Sequence, residues 1–68
     1  MTDRDWWTTE AMRRYGGSFV LGLGRLAALA DGDNFARIKA AWPEYWANYE
    51  ITGRALQKAE ERYQEATR

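Results

Sequence analysis

The sequence predicts an all-α protein, a small bundle of three or four helices with a long C-terminal helix, completed by homo-oligomerisation. Three observations carry this. Apolar residues recur at three- and four-residue spacing through the second half of the chain. The composition, with eleven Ala and ten aromatic residues against eight Leu, Ile and Val combined, points to an aromatic, alanine-rich core whose small residues let helix backbones approach closely. The chain is 68 residues long and has neither Cys nor His. A domain this small buries only about 60% of the surface its unfolded form exposes. Without disulfides, or the best ligands for a structural metal, self-association is the remaining route to added stability.

The first helix is predicted to start at Thr8 and Thr9, ahead of Glu10 in its first turn. Residues 1–7 would then form a flexible start. Gly16 and Gly17 end or kink this helix, and Ser18 caps the next. From Phe19 to Ala30 the apolar run is nearly continuous. Gly22, Gly24 and the alanines are poor strand residues, so the run is assigned to a buried helix. A stripe of Gly17, Leu21, Gly24 and Ala28 would let another helix lie close. Gly32 suits the left-handed position after that helix, and Asp33 suits the following N-cap.

A third segment begins near Asn34. Pro43 interrupts it, because the ring lacks a donor and pushes the preceding Trp42 away from helical angles. The two parts are either separate helices or one helix kinked at Pro43, and Pro43 suits the first position of a final helix reaching about Ala66. Counting from Phe35, the 3-4 series is Phe35, Ile38, Trp42, Tyr45, Tyr49, Thr52, Leu56, Ala59, Tyr63 and Ala66. Trp46 and Gly53 fall beside it, where a two-stranded coiled coil would place charges, so packing inside a bundle fits better. Residues 60–68 are expected to fray or project, and residues 1–68 form one domain.

Ten basic and ten acidic residues cancel, so no global basic field exists to hold a phosphate backbone, and nucleic acid is not a favoured partner. The longest apolar stretch is broken by Gly22, Gly24 and Arg25, so neither a signal peptide nor a membrane span is expected; the cytoplasm is the default location. Gly22-Leu23-Gly24-Arg25-Leu26-Ala27 copies a dinucleotide-binding glycine pattern, but it lacks the flanking strands that such a site needs. Ala28, Gly32 and Ile38 match helix-turn-helix spacing, with Asn34, Arg37 and Lys39 on the second helix. Asp33 after the turn and the stop at Pro43 depart from that pattern. The Asp31, Asp33 and Asn34 cluster lacks the later oxygen ligands of a calcium loop, so no metal or other cofactor is expected.

No imidazole or thiol is present, which removes His- and Cys-based catalysis, and the expected protein is not an enzyme. Binding is the remaining chemistry. Adjacent Trp6 and Trp7 cannot both enter one core easily. Trp42, Tyr45, Trp46 and Tyr49 spread over a wide helical arc, about half of it needed for the core. These rings, with Arg13 and Arg14 as cationic neighbours, are the candidate partner-binding residues, since Trp, Tyr and Arg dominate strong contacts.

Trp6-Trp7-Thr8-Thr9, Tyr15-Gly16-Gly17-Ser18-Phe19-Val20, Ala30-Asp31 with Asn34, and Ala41-Trp42-Pro43-Glu44-Tyr45-Trp46 resemble, over residues 6–49, short uncharacterised proteins encoded in bacteriophage and prophage genomes. The resemblance implies a setting in which a small chain binds and modulates or inhibits a host protein, for instance one of a defence system. The leading expectation is a non-enzymatic helical interaction protein that partners itself and a host protein. An alternative of another class is an oligomer that sequesters a nucleotide-like ligand by ring stacking and Arg contacts.

Overall fold

The computed structural model describes residues 1–66 and contains four helices: α1 (Asp3–Tyr15), α2 (Ser18–Leu29), α3 (Gly32–Ala41) and α4 (Pro43–Ala66). Among the described residues there is no strand, so the all-α bundle with a long last helix stands. α1 is the central element, with α2 packed along one side of it and α4 along another. α3 is a short bridge between them.

α1 starts five residues before the expected Thr8. Thr2 is the N-cap and its hydroxyl accepts from the Asp5 N–H at 3.1 Å. Asp3 and Asp5 in the first turn and Arg13 and Arg14 in the last suit the helix dipole. Residues 3–7, expected as a flexible start, are therefore helical. Thr8 and Thr9 are not caps but fully buried interior positions. Their hydroxyls donate back to the Arg4 carbonyl at 2.9 Å and the Trp6 carbonyl at 2.8 Å. This satisfies the hydroxyls inside the helix and leaves only methyl groups for the neighbours.

The turns are simpler than expected. Gly16 caps α1, its N–H donating to the Met12 carbonyl at 3.0 Å, and Gly17 is the N-cap of α2 in place of Ser18. Between α2 and α3 the roles are shifted towards the N-terminus. Ala30 ends α2, and Asp31, not Asp33, caps α3 by accepting from the Asn34 N–H at 2.9 Å. Gly32 is the first residue of α3, and no glycine has a positive φ. At Pro43 the chain makes two helices: Trp42 leaves the helical region (φ −133°, ψ 62°) and α4 begins at the proline.

The core consists of Met12, Val20, Ala27, Phe35 and Trp46, with Ala30, Ile38, Tyr45 and Tyr49 packed against it. Two glycines set the helix spacing. A Cβ on Gly24 would lie 2.9 Å from the Met12 Cβ and 3.1 Å from the Thr9 carbonyl oxygen. One on Gly53 would lie 2.7 Å from the Trp7 carbonyl oxygen and 2.9 Å from the Thr8 nitrogen. α1 is thus gripped on two sides by helices that approach at a missing side chain. Gly17 and Ala28 of the expected small-residue stripe are exposed, and the close contact is made by Gly24.

The buried line of α4 also differs from the 3-4 series counted from Phe35. Trp46 and Gly53 are its buried centre, flanked by half-buried Tyr49, Glu50, Leu56 and Gln57, while Ala59 and Tyr63 are exposed. Position 53 falls beside the stripe in the 3-4 count, yet there α4 presses against the α1 backbone. From Lys58 to Ala66 every residue is exposed, and the molecule, this helix end included, is 39 Å in its longest dimension. Positions 67 and 68 of that expected end lie outside the described residues.

Candidate functional site

α2 is apolar on nearly all sides, but the bundle covers only one of them. Val20, Leu23, Gly24 and Ala27 face inward and are buried. On another side Phe19, Leu26 and Leu29 are 57%, 55% and 85% exposed. Beside them runs an open groove with two lobes. One, of about 490 Å³, lies between Leu26 and Leu29 of α2 and Asn34, Arg37 and Ile38 of α3. The other, of about 320 Å³, is lined by Phe19, Gly22, Leu23 and Leu26, with Trp42 as the far wall. Leu26 belongs to both lobes. Phe19 is held by Trp42 and Tyr45, each with ring centroids 6.0 Å away. The groove is therefore apolar along its floor, aromatic at one end, and polar at Asp31, Asn34 and Arg37 at the other.

The rings named from sequence fall into separate groups. Trp6 and Trp7 meet edge to face at 4.9 Å on α1; Trp6 is exposed and Trp7 half-buried. Trp42 and Tyr45, half-buried, join the groove through Phe19. Trp46 is 4% exposed and packs edge to face on Phe35 at 5.3 Å, so it belongs to the core, and half-buried Tyr49 packs against that core. Arg13 and Arg14 both bind the Glu10 carboxylate, Arg14 at 3.0 Å, which neutralises part of their charge.

A polar cluster beside Trp46 ties three helices together. The buried Asp5 of α1 accepts from Lys39 of α3 at 3.2 Å and from the Trp46 indole N–H of α4 at 3.4 Å. The Lys39 ammonium also lies 5.8 Å from the Phe35 ring centroid and 5.9 Å from that of Trp46. Burial pushes the Asp5 carboxyl up, but hydrogen bonds from Lys39 and Thr2, the Lys39 charge and the Trp46 N–H outweigh it, leaving the group below its ordinary value. The unfolded chain therefore takes up this proton at higher pH than the folded one. The stabilisation is complete above the ordinary carboxylate range and is lost as pH falls through the folded value. Urea midpoints are expected to drop between pH 6 and pH 3, and Asp5→Asn should flatten that dependence. An equally steep fall in the variant would contradict this role.

The same cluster bears on the helix-turn-helix pattern. Lys39, one of three polar residues expected on its second helix, is half-buried and engaged with Asp5 of α1, whereas Asn34 and Arg37 are exposed. The glycine pattern at Gly22 and Gly24 lies within α2 and has no strand before it, so it forms no dinucleotide-binding turn. Among the described residues no helix is long and apolar enough to cross a membrane.

Sequence inspection missed Phe19, Leu26 and Leu29 as surface residues. Their spacing with Gly22 was visible, but a run that is apolar on all sides gives no sign of which side is covered. No family model, no curated protein and no solved structure matches the chain.

Proposed function

We propose that this chain is a non-enzymatic helical interaction protein whose working surface is the groove beside α2. One observation carries the reading: the most apolar helix leaves Phe19, Leu26 and Leu29 in solvent. Exposed apolar side chains in one contiguous patch beside a groove mark a protein-binding surface more than a catalytic one. A zero formal net charge, which weakens repulsion between molecules, favours association as well. In the setting implied by the phage resemblance, the chain works in the cytoplasm as an oligomer and binds a host protein.

Site-specific photo-crosslinking in a producing cell tests this. A benzophenone amino acid at position 26 is expected to give protein adducts, and one at position 55, exposed on α4, is not. No adduct at position 26, or equal adducts at both positions, would contradict the proposal.

A further inference from the structure

We propose that the exposed side of α2 is covered by a second copy of this chain, the two α2 helices crossing antiparallel at Gly22 about a two-fold axis. The inference rests on the interaction reading above and names the occupant of that surface.

Phe19, Gly22, Leu26 and Leu29 follow 3-4-3 spacing and are all exposed, so they form one seam along α2, bordered at one edge by Trp42 and Ile38 and otherwise open. Gly22 is the informative member. It sits inside a helix, where glycine is unfavourable, and it has no positive φ to justify it. A Cβ there would meet nothing within 4 Å. The other two glycines deep in a helix, Gly24 and Gly53, each mark a point where a second helix presses close. By the same logic Gly22 marks a helix crossing whose second helix is not part of the same chain.

The surface is self-complementary, as a two-fold contact requires. With Gly22 on the axis, Phe19 of one copy stands opposite Leu26 of the other, and the pairing repeats on the far side of the axis. Each Leu29 then points towards the second copy's Tyr15, itself 61% exposed. Charge selects the antiparallel sense. The C-terminal end of α2 leads into Asp31 and Asp33, offset in part by Arg37, while its N-terminal end adjoins Arg13 and Arg14, offset in part by the Glu10 they share. Antiparallel copies place acidic ends beside basic ends, whereas parallel copies place like beside like. Area is consistent too. Tyr15, Phe19, Leu26 and Leu29 expose on the order of 400 Å², about half of the ~800 Å² that each side of a specific interface buries. Half-buried Trp42 and Ile38 and the exposed Arg25 border the seam and extend it.

Single-cysteine variants of the full chain test this directly, since the sequence contains no cysteine. A residue on a two-fold axis faces itself. Gly22→Cys should form a disulfide dimer under mild oxidation at micromolar concentration, at least tenfold faster than Leu29→Cys or an Ala55→Cys control. Gly22→Leu, which has open space within its own chain, should stay helical but raise the dimer dissociation constant at least tenfold in sedimentation equilibrium.

Equal crosslinking of Gly22→Cys and Leu29→Cys would indicate parallel helices and overturn the proposal. So would no crosslinking above the control, or an unchanged dissociation constant for Gly22→Leu. If the cysteines fail while position 26 still photo-crosslinks to a different protein, the interaction reading stands and the second copy is excluded. If position 26 labels nothing, both fall.

Discussion

Gly53→Ala is expected to destabilise the fold by about 1–2 kcal/mol net, although alanine is the better helix former. The propensity gain is about 1 kcal/mol. Against it stands a methyl group 2.7 Å from the Trp7 carbonyl oxygen, 2.8 Å from its carbon and 2.9 Å from the Thr8 nitrogen. All three are backbone atoms of a helix held on its other side by α2, so no side chain can swing aside. Overpacking of this kind typically costs about 1–3 kcal/mol, occasionally more. Relief would require α4 to move off α1, which would also strain the Arg4–Glu50 pair at 3.5 Å and the Asp3–Gln57 bond at 3.3 Å. Gly53→Leu should leave the chain largely unfolded. Denaturant melts followed by circular dichroism check both; a Gly53→Ala midpoint at or above the wild-type value would mean that α1 and α4 do not cross as described.

Trp46→Ala should be more severe, for a different reason. The indole is the largest member of the core and joins α4 to two other helices: Phe35 of α3 through its ring and Asp5 of α1 through its N–H. Truncating a buried tryptophan costs about 3–5 kcal/mol. A chain of this length has about 3–10 kcal/mol of stability in total. The variant is therefore expected to be partly or wholly unfolded at 25 °C, with the near-ultraviolet dichroism of the buried indole lost. Trp46→Phe keeps much of the burial but removes a donor from a buried carboxylate, so its cost should be smaller, about 1–3 kcal/mol. If Trp46→Ala melted like Trp6→Ala, whose ring is exposed, Trp46 would not be the core of the bundle.

The helices were legible because composition and punctuation agree: alanine-rich segments, the Gly16-Gly17 pair, the Asp31 region and Pro43 each fall at or near an observed boundary. The start of α1 was not, because Thr8 and Thr9 look like caps and only tertiary burial reveals them as interior residues. The inward line of α4 was misplaced by following apolar side chains past Gly53, where the absence of a side chain is what brings the helices together. The candidate surface was partly legible. Trp42 and Tyr45 do border the groove, but Trp46 was absorbed by the core, and the exposed part of α2 was hidden inside a run that reads as buried throughout.

Those corrections move the proposed working surface from a tryptophan arc to the open side of α2. Light scattering of the wild type and of Leu26→Glu, run across micromolar concentrations, tests that placement most directly. The wild type should approach twice the 7.9 kDa chain mass. Leu26→Glu, which puts a carboxylate in the seam without touching the buried side of α2, should remain helical and elute as a single chain. A wild type that stays a single chain throughout, or a Leu26→Glu variant that still pairs, would contradict the account.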